Sequence, residues 1–336
     1  MYIIYNIYIC FLIFLIMKYF FSVDWGTSSL RVRLAGILDH SIMVHHEVTN
    51  HYGCSYVFDL FKSEKNGIAR EDYFLNFLRP YLTLPDNISP KASIPVVISG
   101  MATSSIGIRE ITYSPLPFAL DGSDLRYEII LRSEKFDYDV LLLSGLSSTD
   151  DVMRGEEVQL LGLLQEQSFY NEAVFILPGT HSKHIHVREN RILSFKTYIT
   201  GEMFQLLSTY SLLKNSIVKR SAVDQEAFCV GVKLSTGNIL HSVFGIRAST
   251  LIQDTNPSSN YSVLSGLLIG SELKELTHSE LPIFLCAHGN LADSYALAIH
   301  ELSMQNRCTI VPSKQVDEAV IHGQRKIAER IWNGIT

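Results

Sequence analysis

The chain has 336 residues, 47% hydrophobic and 18% charged, which excludes a disordered segment and supplies apolar mass for two domains of about 150 residues each. A formal net charge of −6 excludes the basic face that nucleic-acid binding requires and points to a small-molecule partner. Five scattered cysteines (Cys10, Cys54, Cys229, Cys286, Cys308), with no Cys-x-x-Cys, exclude a disulfide framework and fit the reduced thiols of a cytoplasmic protein.

Residues 1–16 are almost wholly apolar, at the short limit for a membrane span. They have no basic n-region and no small-residue cleavage site, and they abut the strand Tyr19–Val23 without a linker. A strand in mid-sheet cannot emerge straight from a bilayer. We therefore expect an over-extended start, with the fold beginning at Met17, a first lobe over 17–172 and a second over 173–336.

In the first lobe, Phe21–Leu34 reads as strand, turn and strand around Gly26-Thr27-Ser28, followed by a strand at Ile42–Val48. The same pattern returns at Phe175–Val187 around Gly179-Thr180-His181-Ser182, followed by Ile192–Ile199. One domain architecture used twice is the simplest explanation. A Gly-Thr turn between strands admits a close ligand, exposes N–H groups to phosphate oxygens and adds hydroxyl donors. Two such turns facing each other would make a phosphate clamp. Only the first carries a carboxylate, Asp24, which suits Mg²⁺, a hard cation that keeps several waters.

A helix is expected near Arg70–Arg79 and a strand at Ile94–Ser99, leading into Gly100-Met101 and an aromatic loop from Arg109 to Asp121. The strand Val140–Ser144 then enters the most acidic segment. Ser148, Thr149, Asp150 and Asp151 read as helix N-caps, with Glu156 and Glu157 in the first turns. A hydroxyl attacking a γ-phosphate needs a carboxylate to orient it and take its proton, and Asp151, Glu156 and Glu157 are the candidates.

Phe195–Leu207 passes from strand to helix. Thr200 reads as its cap and Glu202 as a first-turn acid, with a role in the cleft as the second reading. Helices follow at Asp224–Leu234 and Ser262–Leu276. The small residues Gly266 and Gly270 in the latter suit either close helix approach or the flank of an adenine ring. Pro282–Ala287 is a buried strand running into His288-Gly289-Asn290, a junction suited to ligand contact. His181, His184 and His186 look like a metal cluster, but the turn and strand positions do not converge. The chain contains neither a P-loop nor a Gly-x-Gly-x-x-Gly motif.

Taken in order, Val23-Asp-Trp-Gly-Thr-Ser28, Ser99-Gly-Met101, Asp151-Val-Met-Arg-Gly-Glu-Glu157, Leu177-Pro-Gly-Thr-His-Ser-Lys183, Thr200-Gly-Glu202 and Leu264–Gly270 resemble the signature blocks of the 2-dehydro-3-deoxygalactonokinase family. That resemblance implies a two-lobed α/β fold of the actin-like ATPase (ribonuclease H-like) type, each lobe a mixed sheet with flanking helices, and an active site in the interlobe cleft. It also implies ATP- and Mg²⁺-dependent phosphorylation of the terminal hydroxyl of 2-dehydro-3-deoxy-D-galactonate, in D-galactonate breakdown. Asp24 would position the metal, and Gly26, Thr27, Ser28, Gly179, Thr180, His181 and Ser182 would hold phosphates. The Asp151–Glu157 block would supply the base, and Lys183 or Arg154 would neutralise developing charge. Arg109, Gly100, Met101, Thr200 and Glu202 would face the acid sugar, and Gly266, Gly270 and Gly289 the adenine. A homodimer is compatible with this reading. The chain departs from the family at Ala102–Ile108, where a Gly-Ser-Arg run and a Gly-Trp pair are usual, and at Ala287, where Gly is usual. The rival reading is an actin-like assembly protein or nucleotide sensor; a kinase for a related sugar or polyol is a second enzyme reading.

Overall fold

The computed structural model describes residues 18–38, 41–64, 67–85, 88, 94–164, 171–219, 222–253 and 255–332. The leader 1–16 and Met17 therefore lie outside the described residues. Two compact units emerge, one within Met1–Gln167 and Glu318–Thr336 and one within Ser168–Asp317.

In the first unit, β1 (Lys18–Trp25), β2 (Leu30–Leu38) and β3 (Ser41–Asn50) form an antiparallel meander. Helices α1 (Cys54–Glu64) and α2 (Arg70–Leu78) follow. Then come β4 (Val96–Gly100), β5 (Tyr127–Ile130), β6 (Val140–Leu143) and α3 (Glu156–Leu163). The strand order is β3-β2-β1-β4-β6-β5, with β1, β4 and β6 parallel. Phe20, Phe21, Val23 and Trp25 are all fully buried, the continuous apolar run that a strand covered on both faces requires. Trp25 packs on Phe74 and Phe77 of α2.

The second unit repeats the plan. Strands β7 (Glu172–Leu177), β8 (Ser182–Arg188) and β9 (Arg191–Tyr198) form the meander, and β10 (Ile283–Leu285) and β11 (Cys308–Ile310) run parallel to β7. These five strands take the order β9-β8-β7-β10-β11, the same order and directions as β3-β2-β1-β4-β6. This repeated topology is the actin-like ATPase fold. Between and after the strands lie α4 (Thr200–Tyr210), α5 (Gln225–Leu234), α6 (Ile239–Ile252), α7 (Pro257–Leu273) and α8 (Gly289–Glu301).

Helix α9 (Ser313–Ile331) corrects the expected boundary, because from Glu318 on it belongs to the first unit. A Cβ at Gly162 of α3 would sit 1.8 Å from the Ala319 carbonyl oxygen, and one at Gly323 of α9 would sit 1.9 Å from that of Val158. The two helices cross at backbone contact. Gln324 of α9 donates to the Val23 carbonyl (2.8 Å) and to Ser99 Oγ (2.9 Å), tying the helix to β1 and β4.

Candidate active site

The first Gly-Thr turn is braced from behind. Gly26 N–H donates to the Ser29 carbonyl, while the Gly26 and Thr27 carbonyls accept from Cys54 N and Ser55 N at the start of α1 (2.9 and 3.1 Å). A Cβ at Gly53 would lie 2.2 Å from the Thr27 oxygen, so only glycine lets α1 come this close. With the carbonyls turned into α1, the N–H groups of the exposed Thr27 and Ser28 meet no acceptor among the described residues. Two adjacent outward N–H groups are an anion cradle.

Asp24 stands at the end of β1, facing Arg31 across the ladder, and no hydrogen-bond donor reaches its carboxylate among the described residues. Burial holds its carboxyl above the ordinary range, Arg31 opposes this, and the charge of Glu156 adds to it. A cation there would relieve both burial and repulsion. No group of three or more metal-ligating side chains occurs among the described residues, so Mg²⁺ at Asp24 would keep most of its waters, as that ion prefers.

Beside Asp24, backbone strain shapes the site. Gly100 has φ +90°, and a Cβ on it would meet the Trp25 carbonyl at 2.7 Å and Asp24 Oδ1 at 3.5 Å. Gly155, at φ +111°, precedes α3, and its Cβ would lie 3.5 Å from Gly100 Cα. This brings the α3 N-terminus to Asp24. The expected N-caps are corrected: Ser148–Asp151 form the turn of a short hairpin pairing Leu146–Ser147 with Val152–Met153. Asp151 caps its own neighbour, Oδ1 accepting from Val152 N at 2.7 Å.

Glu157 is fully buried, and both of its oxygens accept from Gly155 N (2.9 Å). Burial and the neighbouring Glu156 charge push its carboxyl up to about 8. It cannot touch a substrate. Its raised value means that the folded state holds the proton more tightly than the unfolded one, so stability falls as pH rises from 4.5 through about 8. Glu157→Gln keeps an acceptor for Gly155 N–H and carries no charge. Thermal unfolding should find the variant close to the unmodified protein near about pH 4 and more stable near about pH 9; parallel pH curves would refute the assignment.

Arg154 and Arg109 are both committed elsewhere. Arg154 Nη1 donates to the Thr103 carbonyl (2.6 Å) and Oγ1 (2.7 Å), Nη2 to the Ile111 carbonyl, and its guanidinium stacks on Tyr113. It anchors the loop after Gly100. Arg109 is gripped by Glu71 and Glu128 (2.5 Å each), which spends the fork expected to hold the sugar carboxylate. Met101 packs against the unit's core.

The second turn, in its own unit, is braced in the same way. Glu202 N donates to the Thr180 carbonyl (3.1 Å), and a Cβ at Gly201 would lie 2.6 Å from the Gly179 oxygen. The N–H groups of Thr180 and His181 again have no acceptor among the described residues. His181 pairs with Glu202 (2.6 Å), and Lys183, buried in β8, donates to the His181 carbonyl (3.2 Å). The three histidines bind three separate glutamates, His184 taking Glu272 and His186 taking Glu172. Next to the turn is a cavity of about 320 Å³ walled by Thr200, Phe204, Tyr261, Leu268, Asn290 and Tyr295 among others.

A sequence profile described as 2-keto-3-deoxy-galactonokinase matches residues 24–327. The chain belongs to the 2-keto-3-deoxy-galactonokinase family. A Rhizobium meliloti (strain 1021) protein assigned as a 2-dehydro-3-deoxygalactonokinase is 29% identical, covering 94% of this chain and 98% of its own. The 2-dehydro-3-deoxygalactonokinase of Escherichia coli K12 is 27% identical, with 94% and 99% covered. A crystal structure from Sinorhizobium meliloti, described as a candidate member of the same enzyme class, superposes with a TM-score of 0.76 at 28% identity, covering 94% of this chain and 97% of that one.

Within this kinase family frame, several expected roles are reassigned. Gly266 and Gly270 do not border the cavity: Cβ atoms on them would strike the Phe228 carbonyl (2.0 Å) and Ser235 Oγ (2.7 Å), so they serve the crossing of α7 with α5. The cavity is met by Ser265, Leu268 and Ile269 of the same helix. Gly289, at φ +58°, opens α8, whose Asn290 and Leu291 reach the cavity. Thr200 does not cap α4, since Ile199 holds that position; its hydroxyl binds Glu272. Sequence reading missed Gly53 and Gly201, the glycines behind the two turns. Their signal was a second glycine beside a helix start, just before α1 in one case and in the first turn of α4 in the other.

Proposed function

We propose that the protein is an ATP- and Mg²⁺-dependent kinase that phosphorylates the terminal hydroxyl of 2-dehydro-3-deoxy-D-galactonate to its 6-phosphate, working in the cytoplasm in D-galactonate breakdown. The observation that carries the reading is the Asp24 carboxylate, without a donor of its own among the described residues, set beside Glu156 and the outward N–H pair of Thr27 and Ser28. Backbone donors in such turns bind phosphate oxygens without reorganising when charge develops. Asp24 holds Mg²⁺, which when bound screens the charge of the phosphates. In the second unit, Thr180 and His181 N–H bind phosphate, and the cavity takes the adenine. Glu156 is the base: Glu157 is buried, and of the other two acids it is Glu156, its Oε2 accepting from Arg154 N (3.0 Å), whose charge acts on Asp24. It orients the acceptor hydroxyl and takes its proton as the phosphoryl group transfers.

The test is coupled ADP release with 2-dehydro-3-deoxygalactonate, with its gluconate epimer and with no sugar. Turnover that requires the galactonate-derived acid is the expected result. ADP release indifferent to sugar would favour the sensor reading and overturn this one.

A further inference from the structure

The second unit contains a buried polar chain whose proton directions are fixed. Glu272 of α7 has a side chain only 1% exposed. Its Oε2 accepts from Tyr295 OH (2.7 Å) and from Thr200 Oγ1, and its Oε1 pairs with His184 Nε2 (2.9 Å). A carboxylate offers only acceptors, so His184 Nε2 carries the proton. Tyr295, having given its proton to Glu272, must accept from Ser182 Oγ (2.8 Å). Ser182 in turn accepts from Gly179 N (3.3 Å). The Ser182 hydroxyl therefore points inward and is not a phosphate donor, contrary to the sequence expectation. Its work is to close the Gly179–Ser182 turn onto the protein interior.

Two ends of this chain meet the cavity, since Thr200 and Tyr295 are both part of its wall. The remaining ends hold the turn, through Ser182, and strand β8, through His184. We propose that Glu272 is the positioning residue that joins the base cavity to the phosphate turn of the second unit, orienting Thr180 and His181 N–H outward by drawing every neighbouring proton inward. This rests on the kinase reading above. Buried networks of this kind fix one geometry only when every member is satisfied, so losing the central acceptor frees the turn and the wall together.

The test compares Glu272→Gln, Tyr295→Phe and the double variant. Binding of a non-hydrolysable ATP analogue is followed by calorimetry, and KM for each substrate by ADP release. Glu272→Gln keeps the volume but puts an NH2 donor in place of one of the two accepting oxygens; Tyr295→Phe removes the hydroxyl that joins Glu272 to Ser182 and leaves the Thr200 and His184 bonds in place. Each single change is expected to weaken analogue binding and raise KM for ATP about tenfold, the usual cost of a charge-assisted hydrogen bond, while KM for the sugar acid holds. The double variant should be no weaker than the worse single one, because both break the same chain. Unchanged nucleotide affinity in Tyr295→Phe, additive losses, or an equal rise in both KM values would overturn the proposal. Absence of analogue binding to the unmodified protein would instead overturn the kinase reading itself.

Discussion

On the function proposed above, Asp24→Asn is expected to cut turnover by about a thousandfold or more while nucleotide binding in the absence of metal stays within about tenfold, because the side chain would act on the metal and the transition state. Asparagine has the same shape but cannot offer an anionic oxygen to a hard cation. The fold should not suffer. Burial and the Glu156 charge already make the ionised form of Asp24 costly, so a neutral amide removes a penalty, and thermal unfolding near neutral pH should show equal or greater stability. ADP release, calorimetry with and without Mg²⁺, and a melting curve together separate the outcomes. Turnover like that of the unmodified protein would end the metal assignment.

Glu156→Gln comes second, with an expected fall in kcat of about a hundredfold to ten-thousandfold, the range general-base catalysis supplies, and KM values little moved. The distinguishing sign is electrostatic. Glu156 helps to hold the Asp24 carboxyl high, so its neutralisation should lower the Asp24 value, detectable by carboxylate infrared bands or carbon NMR on labelled protein. A variant with full kcat would return the base to Asp151, whose own substitution would then carry the loss.

Much of this was legible in the chain because the decisive signals are local. The strand, Gly-Thr turn and strand pattern at 21–34 and 175–187 needs only neighbouring residues, and the repeated strand order of the two units follows from it. What was misread depends on partners far away. The Arg109 fork looks available until Glu71 and Glu128 fold onto it, and Arg154 looks like a phosphate ligand until Thr103 and Ile111 offer their oxygens. Gly266 and Gly270 show why spacing alone is ambiguous: small residues admit a flat ring or another helix equally well, and α5 arrived first. Thr200 passed for a cap because its true acceptor, Glu272, lies on another helix.

The C-terminal helix gives the chain an order of events. Its residues from Glu318 on complete the first unit, with Gly323 against α3 and Gln324 bonded to β1 and Ser99, yet they are synthesised only after all of Ser168–Asp317. On a ribosome the second unit has its full sequence first, while the earlier-made sheet waits with one flank uncovered. A nascent chain stalled before Glu318 would present that flank to chaperones, and a frameshift there would disable the Asp24 side of the enzyme from some 300 residues downstream.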